Sequence, residues 1–414
     1  MSLASALIST QNHVETPFII VQIGDYLLGH CAKPDRFKLS TAFNIEYPNY
    51  METLNIVKVN GAINTYVITM VYAITEQDDP NRLEKIFSSV SKSRMIKLSY
   101  GDWNAPSFIY KNEEAIITKL TTNVDMKSSS IRYTINCTSN ALTLTGSSVP
   151  FPRRIDKPSN VIKELLASKE YNLTDIFPGM KNLDFVNFIA GDDKKVRIDA
   201  QPAMNVLDYI SYLVSCMVYV KDPERGLKSC CYYWSIYDDV SNKYGGTYFK
   251  VVKVAANTQT SLAYNTYEVD IGYPTNSNVL DFVVKNDDSW SLLYDYAQTV
   301  NMPEYSYYID STGKLVQQDS SLVTQSTKTF ETTEANRNWW SLMTQFPITA
   351  SLTIKGLLRP AMLMSYVKVN TYFFGHKHTS SGLYIVTKQE DSISGSGYKT
   401  TLSLTRVGGD ERYV

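Results

Sequence analysis

Two histidines one residue apart, in Gly375-His376-Lys377-His378, are the nearest approach in this chain to a metal-ligand pair. In an extended stretch they share one side, and paired imidazoles bind transition metals. No third ligand lies nearby and Thr379-Ser380-Ser381-Gly382 follows, so the plainer reading is a surface turn. Asp192-Asp193 after Gly191 lacks the ligand periodicity of a calcium loop, and residues 222–225 read as a solvated turn. Ser394-Gly395-Ser396-Gly397 resembles a phosphate cradle in composition, but it sits between strands rather than before a helix, which makes it a hairpin tip. Arg153-Arg154 with Lys157 is a small basic cluster, more plausible as solvated charge than as a nucleic-acid patch. Trp339-Trp340 could stack on a sugar, although one member of such a pair on an amphipathic helix is normally core. No P-loop, dinucleotide glycine motif or nucleophile elbow occurs. The expectation is therefore no catalytic, cofactor-binding or metal residue, and no cofactor.

The elements around these residues are mostly strands. Phe18 to Leu28 is an apolar run broken at Gly24-Asp25, and Tyr66, Ile68, Met70, Tyr72 and Ile74 alternate as one face of a half-buried strand. Asn60-Gly61 after Val57 and Val59 signals a hairpin. At Asp78-Asp79-Pro80 the period changes, and Leu83, Ile86, Phe87 and Val90 predict a helix over 81–90. Strands resume at Met95 and run to Ser139, so the first 145 or so residues read as a strand-rich barrel or sandwich with one helix. Ser147-Ser148-Val149-Pro150-Phe151-Pro152 reads as a linker. Beyond it come a helix over 160–168 and another opened by Pro202, on which Leu207, Ile210, Val214 and Met217 share a face. Tyrosine-rich strands then run from Cys231 to Val254. Strands follow at 267–273 and 279–284, a helix starts at 289, residues 301–330 form a polar loop, and a helix spans 333–345. Four closing strands contain Leu352, Val369, Ile385 and Leu404.

Two stretches repeat. Ala115-Ile116-Ile117-Thr118-Lys119 aligns without gaps on Tyr384-Ile385-Val386-Thr387-Lys388, an offset of 269 positions. The same offset sets Val124 on Ile393, Tyr133 on Leu402 and Ile135 on Leu404. The order "helix, then about four strands" also occurs twice, at 81–139 and 333–407. Two related β units far apart in sequence imply internal pseudo-symmetry.

Bulk properties set limits. A chain of 414 residues exceeds one ordinary core and predicts two to four domains. A net charge of −1 gives no field steering the chain toward nucleic acid or a membrane surface. The 30 tyrosines suit strands and protein interfaces. Met1-Ser2-Leu3-Ala4-Ser5 lacks the basic start and apolar core of a secretory signal, and no run reaches the length of a membrane span. The five scattered cysteines, Cys31, Cys137, Cys216, Cys230 and Cys231, read as reduced thiols of a protein made in a cytoplasm.

The closing stretch carries a resemblance. Ala350-Ser351-Leu352-Thr353-Ile354-Lys355-Gly356, Leu358-Arg359-Pro360, Gly382-Leu383-Tyr384-Ile385-Val386 and Gly397-Tyr398-Lys399-Thr400-Thr401-Leu402-Ser403-Leu404 resemble the last barrel of contractile-tail hubs. These are phage baseplate hub proteins and the related amino-terminal part of type VI secretion spike proteins. The resemblance is clear in residues over about 350–407. It implies a β-dominated α+β fold: tube-like barrels at 1–149 and 266–414, a pseudo-duplicated pair, separated by a mixed α+β insert at 150–265. It also implies a homotrimer that sets six barrels against a six-fold tail tube and three chains against a three-fold spike, with sheets continuing between subunits. The implied partners are the central spike, the tail tube or tube-initiator protein, baseplate wedge proteins and the tape measure protein, with no nucleic acid and no stable membrane insertion. The implied place is the virion tail baseplate, assembled in the host cytoplasm. Because the last strand closes near Val414, the spike, its oligosaccharide-binding-type domain and β-helix are expected on another polypeptide, and no lysozyme or peptidase module is expected. A different class of reading, a host- or carbohydrate-binding tail protein using Trp339 and Trp340, and a third, a tail-borne wall hydrolase, stand beside it.

Overall fold

The chain is described from a computed structural model covering residues 17–24, 26–30, 44–46, 51–73, 88, 94–102, 110–146, 148–167, 195–198, 200–215, 230–238, 247–255, 265–271, 279–287, 307–309, 315–317, 348–355, 363–394 and 397–408. The first strands are β1 (Pro17–Ile23), β2 (Tyr26–His30), β3 (Asn44–Glu46), β4 (Met51–Val59), β5 (Thr65–Ala73), β6 (Met95–Asp102), β7 (Tyr110–Asp125) and β8 (Ser130–Ser139). The middle holds β9 (Ser148–Phe151), β10 (Arg154–Asp156), α1 (Pro158–Ala167), β11 (Val196–Ile198), β12 (Gln201–Asn205), α2 (Val206–Ser215), β13 (Cys230–Asp238) and β14 (Thr247–Ala255). The last part holds β15 (Asn265–Ile271), β16 (Val279–Asn286), β17 (Tyr307–Ile309), β18 (Leu315–Gln317), β19 (Ile348–Lys355), β20 (Tyr366–Phe373), β21 (His376–Lys377), β22 (Gly382–Ser394) and β23 (Gly397–Gly408). The fold is strand-dominated α+β, as expected.

One large sheet runs β16-β19-β23-β22-β4-β5-β8-β7-β6-β1-β2-β3, with β15 and β21 attached through β20. Within it the same five-strand pattern occurs twice: β4-β5-β8-β7-β6 and β16-β19-β23-β22-β20. The repetition reaches the level of register. Thr118 is bulged out between Ile117↔Cys137 and Lys119↔Asn136, and Thr387 is bulged out between Val386↔Leu404 and Lys388↔Ser403. Each bulged threonine donates its hydroxyl to the carbonyl across the ladder, Thr118 Oγ1 to Asn136 O and Thr387 Oγ1 to Ser403 O, both at 3.1 Å. A bulge leaves one residue out of the pairing, and here the side chain supplies a hydrogen bond at the interruption. A second bulge recurs at Glu52 on β4 and at Leu280 on β16. Ile117 N donates to Arg94 O at 2.9 Å, and Val386 N to Ser365 O at 3.0 Å. Two coincident bulges and four matched ladders are far more specific than shared alternation.

The register also corrects the alignment of the second strand. Leu120 faces Ile135 and Gln389 faces Leu402, so Ile135 corresponds to Leu402, and Cys137 to Leu404. The turn closed by Asp125↔Ser130 is two residues longer than the one closed by Ser394↔Gly397. A slip of two preserves alternation, which is why the constant offset of 269 still matched apolar with apolar. The repeat does not begin at the predicted helices either. β4 and β5 precede residues 81–90, whereas only β16 of the second unit precedes 333–345; of 81–90 only Ser88 is described, and it is helical, while 333–345 and 289–294 lie outside the described residues. The units diverge at their flanks, where β1 runs antiparallel to β6 but β15 runs parallel to β20.

Each unit curls round its own core. In the first, Leu54, Ile56, Tyr66, Ile68, Ile96, Leu98 and Ile135 are buried together, and β2 lies against β4. In the second, Leu352, Ile354, Val367, Val369, Val386, Leu402 and Leu404 are buried, and β15 lies against β16. Phe373, at the same strand parity as Val367 and Val369, is 38% exposed because the chain turns back there into β21.

Three predicted irregular or helical stretches differ from expectation. The 147–152 linker contains β9, which pairs with β12, and Phe151 stacks on Tyr209 with centroids 3.7 Å apart. Pro202 lies in β12 and the helix begins at Val206. Asn205 caps it by accepting Asp208 N through Oδ1 at 2.8 Å and donating to Asp208 Oδ2 at 2.7 Å. The polar stretch 301–330 includes the short hairpin β17–β18. The tyrosine-rich strands β13 and β14 pair along their whole length, as expected.

Cys137 is buried in the first core, and its burial pushes the thiol up to about 12. The thiolate is the reactive species, so Cys137 is expected to resist iodoacetamide in the native chain at pH 8 and to react in urea. Peptide mapping by mass spectrometry checks this; native-state labelling at the rate of a free thiol would mean that the first unit opens.

Candidate functional site at the seam

The two units are joined by a ladder between β4 and β22. Thr53 through Val59 face Ser394 through Lys388 in antiparallel register, and Asn60 N donates to Thr387 O at 3.0 Å beyond the end of the strand. Alternation along β4 sends Leu54 and Ile56 into the core and also buries Lys58, a residue type that is seldom buried unpaired.

Lys58 enters a polar cluster built from both units. Its ammonium sits 2.9 Å from Glu113 Oε1, with both side chains about 5% exposed. The same carboxylate accepts the hydroxyl of Tyr66 and, through Oε2 at 2.7 Å, that of Tyr100. From the second unit Asp391, also buried, accepts Gln389 Nε2 at 2.6 Å on Oδ2, and on Oδ1 accepts Thr400 Oγ1 at 2.6 Å and Tyr398 OH at 3.1 Å. Desolvation raises the Asp391 pKa. The hydrogen bonds from Thr400, Gln389 and Tyr398 and the attraction of Lys58 act against that rise. One cation thus lies among two buried carboxylates, one from each unit. Glu113 accepts two hydroxyls besides Lys58, and Asp391 accepts three hydrogen bonds, the condition under which buried charge is tolerated. The arrangement holds no activated nucleophile; it is an electrostatic fastening between units.

The residues singled out by sequence fall elsewhere. His376 and His378 lie on the exposed β21 turn, where His378 Nδ1 is 2.8 Å from Ser380 Oγ and its ring packs edge-on against Phe373 at 4.9 Å. Among the described residues no group of three potential ligands surrounds a metal position. Arg154 pairs with Glu164 at 2.7 Å and 2.9 Å. Ser394 and Gly397 close the β22–β23 hairpin, with Gly397 at φ +124°. Asp192, Asp193, residues 222–225, Trp339 and Trp340 lie outside the described residues. Among the described residues no helix is long and apolar enough to cross a membrane. Sequence reading missed Lys58, Glu113 and Asp391 because each looks like an ordinary surface charge in a strand. The one available signal was parity: Lys58 falls on the same face as Leu54 and Ile56.

No protein-family model matches the chain, and no curated protein matches it. Solved structures do. The 43 kDa tail protein of prophage MuSo2 from Shewanella oneidensis is similar at 10% identity with a TM-score of 0.49, covering 95% of this chain and 97% of that one. The tail protein from Neisseria meningitidis is similar at 10% identity with a TM-score of 0.49, covering 94% and 96%. An E. coli protein described as a component of the type VI secretion system is similar at 10% identity with a TM-score of 0.44, covering 88% and 75%. The first two of these neighbours are described as tail proteins and the third as a component of the type VI secretion system.

Proposed function

We propose that this chain is a structural protein of a contractile injection machine, a trimeric baseplate hub joining a six-fold tail tube to a three-fold central spike. The observation that carries the reading is internal: one polypeptide contains the same five-strand unit twice, joined strand to strand at β4–β22. Three such chains offer six related units to one neighbour and three identical chains to another, which is what a symmetry mismatch requires. In this reading the duplicated units occupy 1–149 and 266–414, the insert 150–265 lies between them, and the work of the molecule is mechanical rather than catalytic. The buried Lys58–Glu113 and Asp391 cluster then holds the two units in fixed relation. Its partners are the spike, the tube or tube initiator, wedge proteins and the tape measure protein, in the virion tail.

Electron microscopy of purified particles with a labelled copy of this chain tests the reading. Density on the tail axis between tube and spike is expected. Placement off the axis, or on peripheral fibres, would overturn it.

A further inference from the structure

Strand register lines up a row of inward-facing residues at one end of the first unit. Gln389 on β22 faces Lys58 on β4. The β4–β5 ladder, read one step past Val57↔Thr65, sets Lys58 opposite Asn64. Asn64 O accepts Ser139 N at 3.0 Å, which continues the β5–β8 ladder beyond Thr65↔Thr138, and Ser139 faces Ala115 on β7. Opposed residues of a ladder share one face of the sheet, and Lys58 lies on the face of Leu54 and Ile56. Gln389, Lys58, Asn64 and Ser139 thus form a polar row across the seam and into the first unit, and all four are buried.

Two members of the row have their partners. Lys58 meets Glu113, and Gln389 donates to Asp391. The other two do not. Asn64 is 1% exposed and Ser139 7% exposed, yet Asn64 Oδ1, Asn64 Nδ2 and Ser139 Oγ have no hydrogen-bond partner among the described residues. A buried polar group is costly unless it is bonded, and here three such atoms lie on two facing residues. A direct bond between the two side chains would satisfy Ser139 and leave one end of the amide bare.

The second unit shows that the scaffold does not require this pair. Because the bulges at Glu52 and Leu280 correspond, Ile56 matches Val284, Tyr66 matches Ala350 and Asn64 matches Ile348. Cys137 matches Leu404, so Ser139 matches Arg406. Ile348 packs against the second core, and Arg406 donates to Thr379 O at 3.0 Å. Unit two closes the same place with one apolar side chain and one bonded side chain. Unit one puts an unbonded amide and an unbonded hydroxyl there instead.

We propose that Asn64 and Ser139 form a buried binding site for one internal water molecule. The donor set decides the ligand class. A neutral amide sets an acceptor beside a donor, and a hydroxyl serves as either, which matches a small neutral molecule that both gives and takes hydrogen bonds. An anion would be opposed by Asn64 Oδ1, and a cation by Asn64 Nδ2. Water donates one hydrogen to Asn64 Oδ1 and the other to Ser139 Oγ while accepting from Asn64 Nδ2. That makes three bonds, the usual complement of a buried water. The site belongs to the first unit alone, so it stands whether or not the chain is a hub.

A crystal structure of the full chain, at a resolution that shows ordered water, tests the site beside the double variant Asn64→Leu with Ser139→Ala, which imitates the apolar filling of unit two. One water is expected in the native chain, about 2.7–3.2 Å from both Asn64 Oδ1 and Ser139 Oγ, and none at that place in the variant. Magnetic relaxation dispersion of the solvent is expected to count one long-lived water fewer per chain in the variant. Asn64 and Ser139 bonded to each other or to another part of the chain, with no water between them, would overturn the site. An ion at that place would overturn the assignment to water, and an equal count of long-lived waters in the two proteins would overturn the claim that it is internal. Should the double variant fail to fold, the native electron density decides alone.

Discussion

Replacing Lys58 by methionine is expected to lower the unfolding free energy of the chain by about 3–5 kcal/mol, because removing one partner leaves buried charge uncompensated. The methionine fills most of the space, so packing changes little. What is lost is the ammonium 2.9 Å from Glu113, and the attraction that opposes the rise of the Asp391 pKa. The pH dependence has a defined sign. A carboxyl whose folded pKa lies above its unfolded value near 3.8 contributes stability that is present below that value and lost as pH rises through the folded pKa. Removing Lys58 raises the Asp391 pKa further, so the deficit of the variant shrinks on acidification from pH 7 toward pH 4. Urea unfolding at several pH values measures both effects. A loss below about 1 kcal/mol at pH 7, as for an exposed pair, would show that the cluster is solvated and is not a fastening. The double variant Lys58→Met with Glu113→Gln should recover part of the loss, since a neutral amide no longer needs a cation.

Leu54→Ala is expected to cost about 2–5 kcal/mol, the range for emptying a sealed core position. Leu54 is fully buried because β22 covers the outer edge of its strand and Ile393 packs into the same core. Its repeat mate Phe282 has a larger side chain, yet Phe282→Ala is expected to cost the isolated chain only about 1–2 kcal/mol, because Phe282 is only partly buried against the second core. Thermal unfolding of the two variants at low protein concentration checks the contrast. Equal losses would mean that the β16 edge is as well covered as that of β4.

Much of the fold was legible because alternation is a direct print of a sheet with one buried face. The β4–β5 hairpin, β15, β16 and the closing strands all follow from it. The repeat was legible through a bulge. Ile-[Ile/Val]-Thr-Lys survives in both copies because the threonine leaves the ladder and bonds across it. The extra two residues of the β7–β8 turn were invisible, since an even slip leaves every apolar residue on its proper face. β9 was read as a linker because prolines at 150 and 152 punctuate it, yet a two-stranded ribbon tolerates proline where a central strand does not. The seam was least legible. Nothing local in Lys58 or Asp391 states that a strand more than 300 positions away will shut out the water around them.

The covalent joining of the two units changes how an assembly of this chain responds to dilution. A joint formed within one polypeptide proceeds at the effective concentration set by its tether, in the millimolar range for short flexible connections. In the trimer proposed above, the joint inside each chain would therefore form as the chain folds, and only the joints between chains would depend on how often molecules meet. A version cut between β14 and β15, with the fragments free to separate, would turn every joint into an encounter and would come apart at concentrations where the intact chain stays assembled.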